Sequence, residues 1–188
     1  MKIFSYFTLF LIAFSFAQSQ DTWQKPGVKG NFTSVHFQKG IFAGTAEGEI
    51  CKKAEGKQHW DIFYGKLPGA VMKFWSKDET VVCGIKNKDG NIIPFLSSEN
   101  REKWTQIYDD DVKDMIFLNG NIFYIIVFEN NINPNTRGWY VYKTEDSGES
   151  WTEIYFNRQE ILTVEVSGSD LFVCAVNELA HSVNEGKK

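Results

Sequence analysis

Short stretches of alternating apolar and polar residues, separated by glycines and other turn-forming residues, occupy the chain from residue 33 onward. Alternation with a period of two is typical of β-strands that bury one face, and Val, Ile, Phe and Tyr dominate these stretches. The pattern predicts four repeated units of four strands, and no helix beyond the first twenty residues. The predicted first and second strands are residues 33–38, 71–75, 114–118 and 162–166, and residues 40–45, 80–85, 121–128 and 171–176. The predicted third and fourth strands are residues 48–52, 90–95, 138–143 and 179–182, and residues 60–64, 104–108 and 151–155.

The fourth strands share the pattern Trp-x-x-[Phe/Ile]-Tyr, and their tryptophans, Trp60, Trp104 and Trp151, are 44 and 47 residues apart. A self-similar period in this range indicates the blades of a β-propeller, each of which is a sheet of four antiparallel strands. The sequence therefore predicts an all-β propeller with about four blades.

The turn before Trp151 has the most distinctive sequence of the chain. Residues 144–151 read Thr-Glu-Asp-Ser-Gly-Glu-Ser-Trp, which fits the pattern Ser/Thr-x-Asp-x-Gly-x-x-Trp. In such a turn Asp146 can accept backbone N–H groups, Gly148 can adopt a positive φ without steric cost, and Thr144 can bond the local backbone. The octet therefore predicts a tight turn that leads into a strand whose first residue buries a large ring.

Degraded copies of the octet precede Trp104 and Trp60, and residues 182–188 fit its first seven positions with Asn in place of Asp. The repeated octet resembles the Asp-box, or BNR, repeat of sialidase-type, sortilin-type and photosystem-assembly β-propellers. The resemblance covers nearly all of the chain after its first twenty residues. It implies that the boxes stabilise the fold, take no part in catalysis and lie on the face opposite to any ligand. The residues of the complete box are Thr144, Asp146, Gly148 and Trp151.

The two ends of the chain complement each other. Residues 182–188 resemble a box that lacks its Trp, whereas Asp21-Thr22-Trp23 resembles a fourth strand that follows no box. One hypothesis is that Trp23 pairs with the strand at residues 179–182 and closes a ring of four blades, which would hide the open edges. The other hypotheses are that the chain is a truncated fragment of a larger propeller, or a half that dimerises.

The N-terminus is predicted to be a secretory signal peptide at residues 1–17, followed by a propeller domain at residues 18–188. Lys2 precedes an apolar stretch at residues 3–16, and small residues occupy the positions required for cleavage before Gln18. The protein is therefore expected to be secreted, or periplasmic or extracellular, with no membrane span after cleavage. The formal net charge of −4 argues against a nucleic-acid partner.

No pattern in the sequence predicts a cofactor, a metal site or a catalytic set. The three cysteines are not spaced as metal ligands and are expected to remain free, with Cys83 and Cys174 at matching small-residue positions of two repeats. The acidic run at residues 109–111 lacks the Asp-x-Asp-x-Asp-Gly pattern of a calcium loop. A sialidase would need several arginines around the substrate carboxylate, but the chain contains three arginines in all, one of them inside a degraded box.

The connections from strand four to strand one, and from strand two to strand three, form the face opposite to the boxes, here called the loop face. Loops on a rigid scaffold commonly carry function, and the longest insertion, residues 129–137, belongs to this face. The favoured hypothesis is a secreted, non-enzymatic propeller that binds a protein or glycan partner there. The alternative is a sialidase-like or other glycoside hydrolase, for which Asp111 and Glu160 are a conceivable carboxylate pair. The candidate binding residues are Lys66, Asp109, Asp111, Arg137, Arg158 and Glu160.

Overall fold

A computed structural model describes residues 30–38, 40–53, 56, 59–97 and 103–187 of the chain. Within these ranges the chain forms fifteen β-strands in four antiparallel sheets, which follow one another in chain order as blades 1 to 4. Blade 1 consists of β1 (Phe32–Phe37), β2 (Ile41–Thr45), β3 (Glu49–Lys53) and β4 (Asp61–Gly65), and blade 2 of β5 (Ala70–Lys77), β6 (Thr80–Lys86), β7 (Ile92–Ser97) and β8 (Trp104–Gln106). Blade 3 consists of β9 (Val112–Phe117), β10 (Phe123–Glu129), β11 (Gly138–Thr144) and β12 (Thr152–Asn157), and blade 4 of β13 (Ile161–Ser167), β14 (Asp170–Ala175) and β15 (Glu178–Ser182).

The all-β architecture and each of the fifteen strands predicted from the alternation pattern are confirmed. One strand is shorter than predicted: β8 ends at Gln106, although the pattern predicted a strand to residue 108. Its neighbour β7 contains Pro94, whose carbonyl accepts the N–H of Ile107 at 3.1 Å. Because Pro94 has no N–H to donate in return, the ladder between the two strands cannot continue regularly beyond this point.

Each pair of consecutive blades encloses its own hydrophobic core. Strand β10 contributes to two of these cores. Phe123 and Ile125 lie in the core shared with blade 2, whereas Tyr124 and Ile126 lie in the core shared with blade 4. Successive side chains of a strand point to opposite faces, and both faces of this sheet are covered. The middle strands therefore read as continuous apolar runs.

The three cysteines are free, as expected, but the predicted equivalence of two of them is wrong. In blade 2 the pairing of the second strand begins at Thr80, and Cys83 is the third residue after it. In blade 4 the pairing of the second strand begins at Asp170, and Cys174 is the fourth residue after it. Because successive side chains of a strand point to opposite faces, this shift of one position places the two cysteines on opposite faces of their blades. Cys83 is buried in the core between blades 1 and 2, whereas Val173 takes the corresponding place in blade 4 and Cys174 is half-buried on the other side.

Residues 1–29 lie outside the described part of the chain, and so do the predicted signal peptide and the predicted pairing of Trp23 with the strand that is now β15. In the described part, blade 4 has three strands, and β15 pairs with β14 alone.

Candidate functional site

The complete box is a closed network of hydrogen bonds. The Thr144 hydroxyl donates to a carboxylate oxygen of Asp146 at 2.7 Å and accepts the backbone N–H of Gly148 at 2.8 Å. Asp146 also accepts the backbone N–H of Ser150 at 2.9 Å and its hydroxyl at 2.6 Å. These donors, those of Ser150 first, lower the pKa of Asp146 to about 2. The hydrogen bonds of the carboxylate therefore all lie within its own turn.

The same box joins blade 3 to blade 2. The Trp151 indole donates its N–H to the carbonyl of Ile107 at 2.9 Å, and its ring packs edge-on against Phe123 and Tyr108, each with centroids 5.6 Å apart. Gly148 has a φ of 93° and approaches Ile107 so closely that a Cβ atom there would lie 2.7 Å from the Ile107 side chain. Positive φ and close approach together explain why this position is glycine.

Residues 182–187 form the same turn with Asn184 in place of the aspartate. The Ser182 hydroxyl donates to Asn184 at 2.7 Å and accepts the N–H of Gly186 at 2.9 Å. Glu185 donates its backbone N–H to Ser169 at 2.7 Å, as the corresponding residue of the complete box does to Asn121 at 3.0 Å. Residues 182–187 therefore form the turn that their similarity to residues 144–149 predicted. The central residues of the two degraded boxes, 98–102 and most of 54–58, lie outside the described ranges.

The two described boxes lie at one end of the sheets, beside the turns between first and second strands, because their backbones bond Asn121 and Ser169 in those turns. The loop face is therefore the other end of the sheets. The six candidate residues all lie in or beside its connections but are distributed along it. Lys66 follows blade 1, Asp109 and Asp111 follow blade 2, and three residues lie around blades 3 and 4. These three are Arg137, Arg158 and Glu160.

Several of the candidate side chains already have partners in the protein. Asp111 accepts the backbone N–H of Ile92 at 2.6 Å and so ties two loops of the face together. Glu160 forms an ion pair with Lys113. Arg158 donates to the side chain of Asn135 at 3.3 Å, which connects it to the long insertion. These three candidates therefore support the loop face itself, and Lys113 is a charged member of the face that sequence reasoning missed.

The structure also reveals an aromatic patch that was not predicted. Phe128 and Trp139 face each other across the strands that flank the long insertion, with ring centroids 5.2 Å apart. The guanidinium of Arg137 lies 5.9 Å from the centre of the Phe128 ring, and the ammonium of Lys113 lies 4.6 Å from that of Trp139. Neither ring is buried, and both cations are within cation–π range. We refer to these four residues as the aromatic patch. Its signal in the sequence was the pair of aromatic residues beside an insertion rich in Asn.

Glu129 and Tyr142 form a further pair that the sequence did not suggest. The Tyr142 hydroxyl donates to Glu129, whose other oxygen accepts the side-chain amide of Asn131 at 2.9 Å. Burial, and then this carboxylate, raise the pKa of Tyr142 well above its ordinary value. A nucleophilic phenol needs the opposite shift. The pair therefore anchors the base of the long insertion.

Among the described residues, a small depression lies on the loop face. It has a volume of about 220 Å³ and lies between Pro68, Phe95 and Asp109, and it is smaller than the roughly 300–1,000 Å³ typical of pockets that enclose small ligands. Among the described residues, no group of His, Cys, Asp and Glu side chains is arranged to hold a metal ion. Within the same ranges, no helix is long and apolar enough to cross a membrane.

Comparison with solved structures identifies the fold as that of β-propeller proteins. The chain is similar to the computationally designed Ika4 protein, with 13% identity and a TM-score of 0.54 over 84% of this chain and 94% of that one. It is similar to YCF48 bound to D1 peptide, with 12% identity and a TM-score of 0.53 over 82% of this chain and 53% of that one. It is also similar to the designed Ika8 protein, with 15% identity and a TM-score of 0.51 over 84% of this chain and 47% of that one.

The chain thus spans about half the length of YCF48 and of Ika8. No protein-family model matches the sequence, and no curated protein does. At these identities the similarity establishes propeller blades and no more.

Proposed function

We propose that the chain is a secreted, non-enzymatic propeller of the Asp-box type that binds a segment of a partner protein on its loop face. The hydrogen bonds of the two described boxes support the Asp-box assignment. The sequence of residues 1–17 supports secretion. The aromatic patch is the observation that carries the binding role.

The aromatic patch has the composition of a protein-binding surface. Trp and Arg are enriched among the residues that dominate binding energies, and aromatic rings on rigid strands lose little entropy when they are covered. Here Phe128 and Trp139 lie on paired strands, so the scaffold holds their backbones in place. The flanking cations would attract a carboxylate-bearing segment, whereas the Glu160 carboxylate beside Lys113 would disfavour a second anion. A mixed-charge peptide with an apolar residue fits this surface.

The small volume of the depression on the loop face favours the same class of ligand. A peptide or another extended chain can lie across a flat patch, whereas a small molecule needs an enclosing pocket. YCF48, which shares the fold, is itself a propeller bound to a peptide. The carboxylates considered for glycoside hydrolysis have other roles, because Asp111 bonds the N–H of Ile92 and Glu160 pairs with Lys113.

The test is selection from a random twelve-residue peptide library on the immobilised chain, with a glycan array in parallel. We expect enrichment of peptides that carry an apolar residue next to a carboxylate. The double variant Arg137→Glu/Arg158→Glu should lose capture of these peptides while its melting temperature stays within a few degrees of the wild type. The matched control, Lys53→Glu/Lys77→Glu, reverses two cations at the box end and should retain capture.

The assigned face is wrong if the selected peptides bind the Arg137→Glu/Arg158→Glu variant as well as they bind the wild type, and no longer bind the Lys53→Glu/Lys77→Glu control. If the chain binds glycans on the array but enriches no peptide, the partner is a glycan and not a protein. Turnover of fluorogenic glycosides by the wild type would overturn the non-enzymatic assignment.

A further inference from the structure

The depression on the loop face lies at the end of blade 2, beside the connection from blade 1. Its buried lining is apolar and belongs to the core between blades 1 and 2, whereas its more exposed rim is mostly polar. The buried residues are Ile85, Ile93 and Phe95, and the rim residues are Pro68, Asn87, Gln106 and Asp109. An apolar floor below a polar rim is the kind of pocket that anchors one side chain of a protein partner.

The depression exists because strand four of blade 2 ends early. Strand β8 ends at Gln106, which pairs with Phe95, and β7 extends three residues beyond this pair without a fourth-strand partner. The carbonyl of Pro94 accepts the N–H of Ile107 at 3.1 Å, but proline has no N–H with which to continue the ladder. Ile93, on the floor of the depression, therefore has no paired residue on strand four.

Blade 3 shows which group fills this place when strand four is longer. There the ring of Phe156, on β12, packs against Tyr140 with centroids 4.8 Å apart. Tyr140 corresponds to Ile93, because each lies eleven residues before the tryptophan of strand four. The counterpart of Phe156, five residues after that tryptophan, is Asp109. Blade 2 therefore has a carboxylate at the position from which blade 3 supplies its own aromatic ring.

Side chains of the surrounding loops hold the rim in place. Asp111 accepts the N–H of Ile92 at 2.6 Å, which attaches the connection after β8 to the end of β7. The Oδ1 atom of Asn87 accepts the N–H groups of Asp89 and Asn91 at 2.9 and 3.0 Å. The amide nitrogen of Asn87 has no acceptor in the described part of the chain, so it can donate to a carbonyl of a bound segment. A rim that is already ordered loses little entropy when it is covered.

The rim carries a negative charge. Asp109 is the one charged residue among the described residues that line the depression, and within the described ranges neither Asp109 nor Asp110 forms an ion pair. Burial, and then Glu129 and these two carboxylates, raise the pKa of Tyr108 to about 12. Lys66, the cation of the neighbouring connection, does not line the depression. The rim therefore attracts a cation of a ligand.

We propose that the depression binds the ring of a phenylalanine in the partner segment, with a lysine or arginine of that segment beside Asp109. Its volume of about 220 Å³ is sufficient, because an apolar cavity of about 150 Å³ already holds benzene. Phe156 is the precedent for a phenyl ring at this place of a blade. The inference rests on the proposed function, since it takes the ligand to be a segment of a protein, and it names the side chains that this segment presents to blade 2.

The two binding places give the bound segment a direction. The aromatic patch, at blade 3, is flanked by cations and favours a carboxylate, whereas the depression, at blade 2, favours a cation. A segment that occupies both places has its basic end over blade 2 and its acidic end over blade 3. The order of the charges then contributes to specificity, because the reversed order would put each charge beside one of its own sign.

Disulfide capture tests the depression without involving the aromatic patch. The variant Gln106→Cys, in a Cys174→Ser background, places a thiol on the rim, and the remaining cysteines, Cys51 and Cys83, are buried. The probes are three acetylated tripeptide amides with the sequences Cys-Phe-Lys, Cys-Ser-Lys and Cys-Phe-Glu. Each probe is exchanged onto the variant in 2-mercaptoethanol, and intact-protein mass spectrometry gives the concentration of reductant that releases half of it.

The Phe-Lys probe should withstand about tenfold more reductant than the Ser-Lys probe, because its ring is covered, and about threefold more than the Phe-Glu probe, because Asp109 repels the glutamate. Asp109→Asn should remove the preference for Lys over Glu and keep the preference for Phe over Ser. Asp110→Asn, the matched control, should keep both, because Asp110 does not line the depression. Thr105→Cys, at an exposed position on the opposite face of β8, should hold the three probes equally.

Equal retention of the three probes by Gln106→Cys would overturn the inference, and retention of Phe-Glu above Phe-Lys would overturn the role of Asp109. If the probes are discriminated as expected but the peptide library enriches nothing, the proposed function fails and the depression remains a site for one aromatic side chain. If the library enriches peptides but the probes are held equally, the inference fails and the proposed function stands.

Discussion

Replacement of Trp151 by alanine tests most directly the idea that the box clamps adjacent blades. The substitution removes a half-buried indole that packs against Phe123 and Tyr108 and bonds the carbonyl of Ile107. Trp→Ala changes in cores cost about 3–5 kcal/mol, and the partial exposure of this ring places the expected loss near the lower limit, at about 3 kcal/mol. About 1 kcal/mol of that loss belongs to the hydrogen bond.

The assay is equilibrium unfolding in guanidinium chloride, followed by tryptophan fluorescence and by circular dichroism. With a slope of about 4 kcal/mol per molar, a loss of 3 kcal/mol lowers the midpoint by about 0.7 M. Both probes are needed because repeat proteins can unfold blade by blade, in which case their transitions separate. We expect the loss of the blade 2–blade 3 contact to shift the transition of both probes.

A pair of conservative variants isolates the hydrogen bond. Trp104 occupies the same position in blade 2 and is buried, but its indole N–H has no acceptor in the described part of the chain. Trp151→Phe should therefore cost about 1 kcal/mol more than Trp104→Phe. Equal costs would contradict the role given to the Ile107 carbonyl. An unchanged midpoint in Trp151→Ala would refute the clamp altogether.

Three further expectations concern the box and the thiols. The folded-state pKa of Asp146, about 2 against an ordinary 3.8, is depressed, so its contribution to stability is present above about pH 4 and is lost as the pH falls toward 2. Asp146→Asn should flatten this part of a stability–pH curve but keep the turn. A loss of stability below about pH 4 as steep as that of the wild type would contradict the hydrogen-bond network around Asp146. Gly148→Ala should lower the melting temperature, because a Cβ there meets Ile107 at 2.7 Å and φ is 93°; a stability equal to the wild type would exclude the strain. Cys174 should react with a thiol reagent well before Cys83, whose pKa burial raises, and simultaneous labelling would indicate that the blade 1–blade 2 core opens.

Much of the fold was predictable because its causes are local. Alternation along a strand and glycine at a turn are properties of neighbouring residues, so the fifteen strands could be read from the pattern. The box at residues 182–187 was predictable despite its Asn184, because an amide oxygen accepts the same hydrogen bond as a carboxylate. Its partner on the preceding blade, Ile154, could not be read, because that contact depends on how two sheets pack.

The sequence by itself determined the repeat, the strands and the box turns of this protein, because a period of about 45 residues and a period of two are both written along the chain. The tertiary structure decided which side chains meet. A difference of one position in register places Cys174 on the face opposite to that of Cys83. The similar sequences around the two cysteines gave no indication of this difference. The arrangement of the strands within blade 3 placed Lys113 over Trp139, and the packing of blade 4 beside blade 3 brought Glu160 to Lys113, across 26 and 47 residues of chain. Contacts between residues so distant in sequence depend on the register of strands within a sheet and on the angle between adjacent sheets, and no local pattern specifies either.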